Sequence, residues 1–240
     1  MRKPIIELEN VTKIYRAGEI TTQALRGITL KIYQGDLVAI VGPSGSGKTT
    51  LLNMMGLLDK PTSGRVYIDG IDVVKLSSSE VAKVRNTKIG FVFQFFNLIN
   101  RLTVLENIEM PLIPRGIPRS KRVEMARDAL LRAGGDLSWL PKKPVQLSGG
   151  QQQRVAIARA IVGYPEIILA DEPTGNLDRA SAKLVMETFL KLNASGSTIV
   201  IVTHDPEIAN CTNTIYVIRD GLLAGVLEPR HEECIVNKVK

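Results

Sequence analysis

Eight consecutive residues, Gly42-Pro43-Ser44-Gly45-Ser46-Gly47-Lys48-Thr49, have the spacing G-x-x-x-x-G-K-[ST]. Glycines at these places let a loop turn its backbone N–H groups inward, where they cradle phosphate oxygens. Lys48 then reaches the β- and γ-phosphates and the Thr49 hydroxyl ligates Mg2+. Thr50 carries the chain into a first helical turn, whose dipole favours an anion. The continuously apolar LVAIV of residues 37–41 precedes the loop, and KTTLLNMMGLL follows it. That strand–loop–helix order is the context a nucleotide phosphate needs.

Five more residues acquire roles beside such a loop. Ile167-Ile168-Leu169-Ala170 ends in two acids, Asp171 and Glu172. Asp171 suits the magnesium shell. Strand alternation sends Glu172 to the opposite side, where it can polarise a water for attack on the γ-phosphate. His204 follows STIVIVT and Gln94 follows IGFVF. If these strands run parallel to LVAIV, both residues open on the crevice at the carboxyl edge of the sheet. His204 then bonds the γ-phosphate, and Gln94 reaches Mg2+ or the attacking water. Tyr15, closing the first alternating segment, offers a flat ring to a base.

Leu147-Ser148-Gly149-Gly150-Gln151 resembles a second phosphate loop about one hundred residues after the first. It precedes a long helix but has no lysine and no strand before it. Ser148 and the N–H groups of Gly149 and Gly150 can still bind anionic oxygens, because they sit at a helix N-terminus.

The elements that must hold these groups follow from periodicity. IIELENVTKIY alternates as a half-solvated strand, and AGE turns the chain towards a second strand near ITLKIY. Further strands are expected at RVYIDG, IGFVFQ, EIILADE, STIVIVTH, TIYVIRDG and LLAGVLE, with helices at SSSEVAKVRN and SAKLVMETFLKL. From Asn97 to about Ala160 the pattern is helical and punctuated by Pro111, Pro114, Pro118 and Pro141. The chain is therefore expected to be one α/β domain over 1–228. Its core would span 1–96 and 161–228, with an antiparallel β subdomain at the N-terminus and a helical subdomain inserted at about 97–160. Residues 229–240 read as a loose or helical tail.

Composition sets the outer limits. With 240 residues, 44% hydrophobic and 23% charged, the chain buries a sizeable core and is neither disordered nor membrane-spanning. MRKPIIELEN meets Glu7 and Glu9 where a signal peptide needs apolar residues. The expectation is a cytosolic protein that reaches a membrane only through a partner, with Cys211 and Cys234 as free thiols. The net charge is +7. Residues Pro114 to Lys143 hold eight Lys/Arg and three Asp/Glu, so +5 of it sits there. Such a run is a solvated helical face or a surface facing lipid headgroups or a membrane partner.

Taken in order, Gly42–Thr49, Gln94, Leu147–Gln151, Asp171-Glu172, Asp178 and His204 resemble the ATPase subunits of ABC transporters over residues 5 to 228. LSGGQ carries most of that specificity. The resemblance implies a P-loop (RecA-like) core binding ATP and Mg2+, with Glu172 as catalytic carboxylate and Gln94 sensing a membrane partner. It makes His204 the switch histidine, Tyr15 the adenine platform and Asp178 a contact to a second subunit. It also implies a two-fold homodimer, in which each LSGGQ covers the other subunit's γ-phosphate, attached to an integral membrane permease at the inner face of the membrane. FVFQFFNLINRLTVLENIEMPL and DEPTGNLD look like the lipoprotein-releasing and macrolide-exporter group, which favours export or extraction. Phe95-Phe96-Asn97, Ala133–Pro141 and Gly175-Asn176 depart from the usual wording of these relatives. The competing reading is a soluble ABC-type ATPase acting on nucleic acid or ribosomes. Direct nucleic-acid binding is not expected, because the chain lacks the long coiled coils or second ATPase domain of such proteins.

Overall fold

The computed structural model describes residues 2–238. Two sheets share the chain. The first is antiparallel, with strand order β2-β1-β4-β5, from β1 (Pro4–Ala17), β2 (Ile20–Tyr33), β4 (Ser63–Ile68) and β5 (Ile71–Asp72). Along β1, Ile6, Leu8 and Val11 are buried while Glu9 and Asn10 face solvent, as a one-sided sheet requires. β2 is longer than ITLKIY suggests. Its first four residues, ITTQ, are all exposed and carry no alternation to read.

The second sheet has the order β10-β9-β3-β8-β7-β6. Its members are β3 (Leu37–Val41), β6 (Ile89–Phe93), β7 (Ile167–Asp171), β8 (Thr198–Val202), β9 (Thr214–Arg219) and β10 (Leu222–Leu227). Adjacent pairs from β9 to β6 are parallel, and β10 closes the edge antiparallel. One face packs on the antiparallel sheet and on α1 (Lys48–Met55) through Ile40, Leu51, Met55 and Val200. The other packs through Ile168, Ile199, Val155 and Phe189 on α5 (Gly149–Ile161) and α6 (Arg179–Ala194). Burial on both faces explains why the central strands read as unbroken apolar runs. The registers Phe93↔Asp171, Asp171↔Val202 and Ile40↔Val202 bring the carboxyl ends of four strands level, beneath one crevice.

α2 (Ser78–Lys88) precedes β6 and starts on a capping box between Ser77 and Glu80. Between β6 and β7 lie α3 (Val104–Glu109), α4 (Arg119–Arg132) and α5, which pack on one another. α3 and α5 also begin with capping boxes, Thr103 with Glu106 and Ser148 with Gln151.

At the C-terminus the free-thiol expectation fails, and the tail read as loose or helical carries a short 3-10 turn at His231–Glu233. Cys211 and Cys234 form a disulfide, and the segment that carries Cys234 is docked rather than loose. Arg230 N–H donates to Asn210 Oδ1 at 2.8 Å, and Ile235 N–H to Glu207 O at 3.2 Å. Both contacts are to α7 (Pro206–Ala209) or the residue after it. Cys234 and Ile235 are buried there, and Lys238 Nζ bonds Glu207 Oε1 at 2.7 Å. A pairing across 23 residues of intervening hairpin leaves no local sequence signal. Closing a loop of that length stabilises by about 3 kcal/mol. The variant Cys211→Ser/Cys234→Ser, and the native chain under reductant, are both expected to lose about that much in urea unfolding. Identical midpoints with and without reductant would refute the bridge.

Candidate functional site

A cavity of 680 Å3 opens at the level strand ends, lined by Gly42, Pro43, Ser44, Gly45, Gly47, Lys48, Thr49, Thr50, Asp171, Glu172 and His204. Thr22, Gln23 and Ala24 of β2 close one side, a contribution the polar, non-alternating sequence there does not announce. The loop can only be glycine at two points. A Cβ on Gly42 would lie 2.0 Å from Ile218 O, and one on Gly47 would lie 2.5 Å from Ala24 O. Lys48 Nζ spans the loop, donating to Gly42 O at 2.9 Å and Pro43 O at 2.8 Å. Ser46 differs from its neighbours: it is buried and does not line the cavity. Its Oγ finds no partner among the described residues.

Asp171 is half-buried at the end of β7. Burial, and then the neighbouring Glu172 charge, push its carboxyl above the usual range, only partly countered by the Thr49 hydroxyl and Lys48. A carboxylate in that position, sharing the cavity lining with Thr49 and Lys48, is under-compensated and fits a hard divalent cation that binds with phosphates. Among the described residues no cluster of three or more His, Cys, Asp or Glu could hold a metal ion.

Glu172 does not turn away from Asp171 as strand alternation predicts. β7 ends at Asp171, and Glu172 has φ +45°, a left-handed conformation that costs a non-glycine residue about 1–3 kcal/mol. Its N–H donates to Val202 O at 2.9 Å, and both acids line the same cavity. His204 Nδ1 lies 2.7 Å from Glu172 Oε1, and Thr203 Oγ1 donates to Glu172 Oε2 at 3.3 Å. An ionised carboxylate only accepts, so the hydrogen of that pair sits on Nδ1. The carboxylate is thus aimed by two groups at the end of β8, and His204 meets Glu172 directly.

Gln94 does not line the cavity. Its Nε2 donates to Asn176 Oδ1 at 3.4 Å, and Asn176 Nδ2 donates back to Gln94 O at 3.0 Å. Gly175 permits the approach, since a Cβ there would stand 2.9 Å from Gln94 Nε2. Asn176 is a residue that sequence reasoning noticed only as a departure. Arg159 of α5 holds the next residues, donating to the carbonyls of Phe96 and Asn97, both of which have positive φ. Tyr15 also stands outside the cavity lining but pairs across the ladder with Thr22, which is in it.

Ser148, Gly149, Gly150 and Gln151 are absent from this cavity. Ser148 Oγ accepts from Gln151 N–H at 3.3 Å, and Gln151 Oε1 accepts from Ser148 N–H at 3.0 Å. A Cβ on Gly150 would lie 2.6 Å from Ser181 Oγ, so this glycine lets α5 approach α6. Gly149 meets nothing closer than 3.7 Å. Asp178 caps α6, accepting from Ser181 N–H and Oγ, and these bonds hold its carboxyl below the usual range.

Part of the basic run is engaged within the fold. Arg115 bonds Asn86 and Gly163 O, Arg122 bonds Glu109, Lys121 bonds Glu124, and Arg132 lies over the Tyr164 ring. No helix among the described residues is long and apolar enough to cross a membrane.

Fold and cavity together define a P-loop nucleoside triphosphatase. Residues 25–175 match the family model described as ABC transporter. The chain belongs to the ABC transporter family as its ATP-binding, ATP-hydrolysing subunit. It is 47% identical over 222 residues to the lipoprotein-releasing system ATP-binding protein LolD of Aquifex aeolicus, covering 92% of this chain and 96% of that one. It is 52% identical over 221 residues to the macrolide export ATP-binding/permease protein MacB of Syntrophobacter fumaroxidans, spanning 91% of this chain but 31% of that longer protein. The dimeric, post-hydrolysis structure of the cassette MJ0796 of Methanocaldococcus jannaschii with ADP and Pi superposes with a TM-score of 0.87. It is 47% identical and covers 94% of this chain and 99% of that one. These relatives are transport proteins, which removes the support for an ATPase acting on nucleic acid.

Proposed function

We propose that the chain works as a head-to-tail homodimer with two Mg-ATP in its seam, driving an integral membrane permease of the export or extraction type at the inner face of the membrane. The observation that carries this reading is the distance of function between two phosphate-binding sequences: Ser148–Gln151 line no part of the chain's own P-loop cavity. A second copy supplies what is missing. In the dimer, Ser148 and the Gly149 and Gly150 N–H groups cover the partner's γ-phosphate, and Asp178 contacts the other subunit.

Each residue then has a defined task. Lys48 and the N–H groups of Gly42 and of Ser44 to Thr50 bind the phosphates, and Tyr15 stacks on adenine. Thr49 and Asp171, together with Gln94, would hold Mg2+, which would supply positive charge to offset that of the phosphates. Glu172, aimed by His204 and Thr203, takes a proton as the water oxygen bonds to phosphorus and the bridging oxygen leaves on ADP.

The permease has a fitting place. A 530 Å3 groove between α2, β6 and α5 is lined by Arg85, Phe91, Asn97, Pro111, Arg115 and Pro165. Beside it Phe95 is 74% exposed on the Gln94 segment. The helical block of residues 97–160 connects that groove to LSGGQ, so closing the seam moves the groove.

The test uses two chains that both carry Glu172→Gln, one with Lys48→Ala and the other with Gly149→Asp. A Cβ on Gly149 would meet Leu177 and Phe96 at an ordinary contact distance of 3.7 Å, so the new side chain is tolerated, while its carboxylate repels a phosphate. Neither chain alone should dimerise with ATP. Mixed, they leave one intact composite site and should associate in sizing chromatography. Failure to associate on mixing, or ATP-dependent dimers of the Gly149→Asp chain alone, would overturn the head-to-tail arrangement.

A further inference from the structure

The Tyr15 hydroxyl donates to Asp59 Oδ2 at 3.0 Å, across 44 residues of sequence. Asp59 Oδ1 accepts from Lys13 Nζ at 2.7 Å and from the Lys60 N–H at 2.7 Å. Lys13 Nζ also donates to Lys60 O at 2.8 Å, and it stands over the Tyr15 ring, 4.9 Å from the centroid. Lys13 and Tyr15 are two apart on β1 and so share a face. Burial alone would raise the Asp59 carboxyl, but the bonds from Lys13, Lys60 and Tyr15 outweigh it and hold it below the usual range. Asp59 is therefore the ionised hub of a small closed network.

Its backbone gives that hub a fixed address. The N–H groups of Leu58 and Asp59 both point to Asn53 O, in the last turns of α1. α1 begins at Lys48, in the phosphate loop itself. One element thus carries the phosphate-binding N–H groups at its start and, just past its end, the carboxylate that holds the ring of Tyr15. Meanwhile Tyr15 remains 41% exposed, with the Lys13 ammonium over one face of its ring.

We propose that Asp59, with Lys13, is a positioning residue for the nucleotide base: it locks the Tyr15 side chain in one rotamer, at a set offset from the phosphate loop, before the base arrives. The proposal rests on the reading of Tyr15 as the adenine platform. A ring already fixed spares the entropy of ordering it on binding, roughly 0.5–1.5 kcal/mol for a side chain, or about threefold to tenfold in affinity. An ordinary structural ion pair would support phosphate and base binding alike. This one acts on the base alone.

The discriminating ligands are ADP and inorganic pyrophosphate, both with Mg2+, because the second has no base. Asp59→Ala should weaken ADP binding by about threefold to tenfold in calorimetry, and leave pyrophosphate, measured by displacement of ADP, unaltered. Tyr15→Phe removes the same hydrogen bond from the other end and should weaken ADP to a similar degree, which covers an Asp59 variant that folds poorly. In a Tyr15→Ala background, Asp59→Ala should have no further effect. Equal losses for ADP and pyrophosphate, or an undiminished effect of Asp59→Ala in that background, overturn the proposal. If Tyr15→Ala weakens ADP selectively while Asp59→Ala and Tyr15→Phe do not, the Asp59 role alone fails. If Tyr15→Ala leaves ADP binding intact, the platform reading fails and this role with it.

Discussion

Glu172→Gln is expected to bind ATP like the native chain, hydrolyse it roughly 10²–10⁴ times more slowly, and elute with ATP as a dimer. The amide keeps the size of the carboxylate and, through its oxygen, can still accept from Thr203 Oγ1, which bonds Glu172 Oε2 in the native chain. Glutamine is no worse than glutamate in the left-handed conformation at this position. What it loses is the capacity to take a proton from water. The seam that ATP closes is then not reopened by cleavage, and the dimer accumulates instead of cycling. Native turnover by the variant, or a monomer in saturating ATP, would remove Glu172 from the reaction.

Lys48→Ala should cost nucleotide binding at least about thirtyfold, and hydrolysis with it. Alanine is the best helix former, so α1 starts as before. The lost ammonium is the charge that the loop wraps: it bonds the Gly42 and Pro43 carbonyls at 2.9 and 2.8 Å, where it bridges the cradle. Removing one partner from a desolvated, hydrogen-bonded charge pair costs about 2–5 kcal/mol, which converts to that factor or more. ADP titration by calorimetry measures it directly. Unchanged affinity would mean the phosphates lie elsewhere.

The parts of the fold that were legible in the sequence are those with a local cause. Buried parallel strands must be apolar throughout, so LVAIV, IGFVF, EIILAD and STIVIV were readable, as were helices with capping boxes. The phosphate loop was readable because its spacing is dictated by backbone geometry within eight residues. Pairings across long separations were not readable. Gln94 with Asn176, Tyr15 with Asp59 and Cys211 with Cys234 join residues whose own surroundings do not announce a partner. Glu172 shows a subtler limit. Period-two alternation predicts direction only while the strand lasts, and the strand stops one residue before it.

The bridge between Cys211 and Cys234 also decides how the molecule carries force. It encloses β9, β10 and the docked segment in a covalent ring, so tension applied to the C-terminus crosses directly to Cys211 beside α7. The edge strand β10 lies off the load path, and its hydrogen bonds to β9 are shielded from the pull. Anything that grips the C-terminal end, whether a tether in an optical trap or an unfolding motor, must therefore unwind α7 before it reaches β8 of the parallel sheet. Under reducing conditions the same pull would peel the hairpin from the edge.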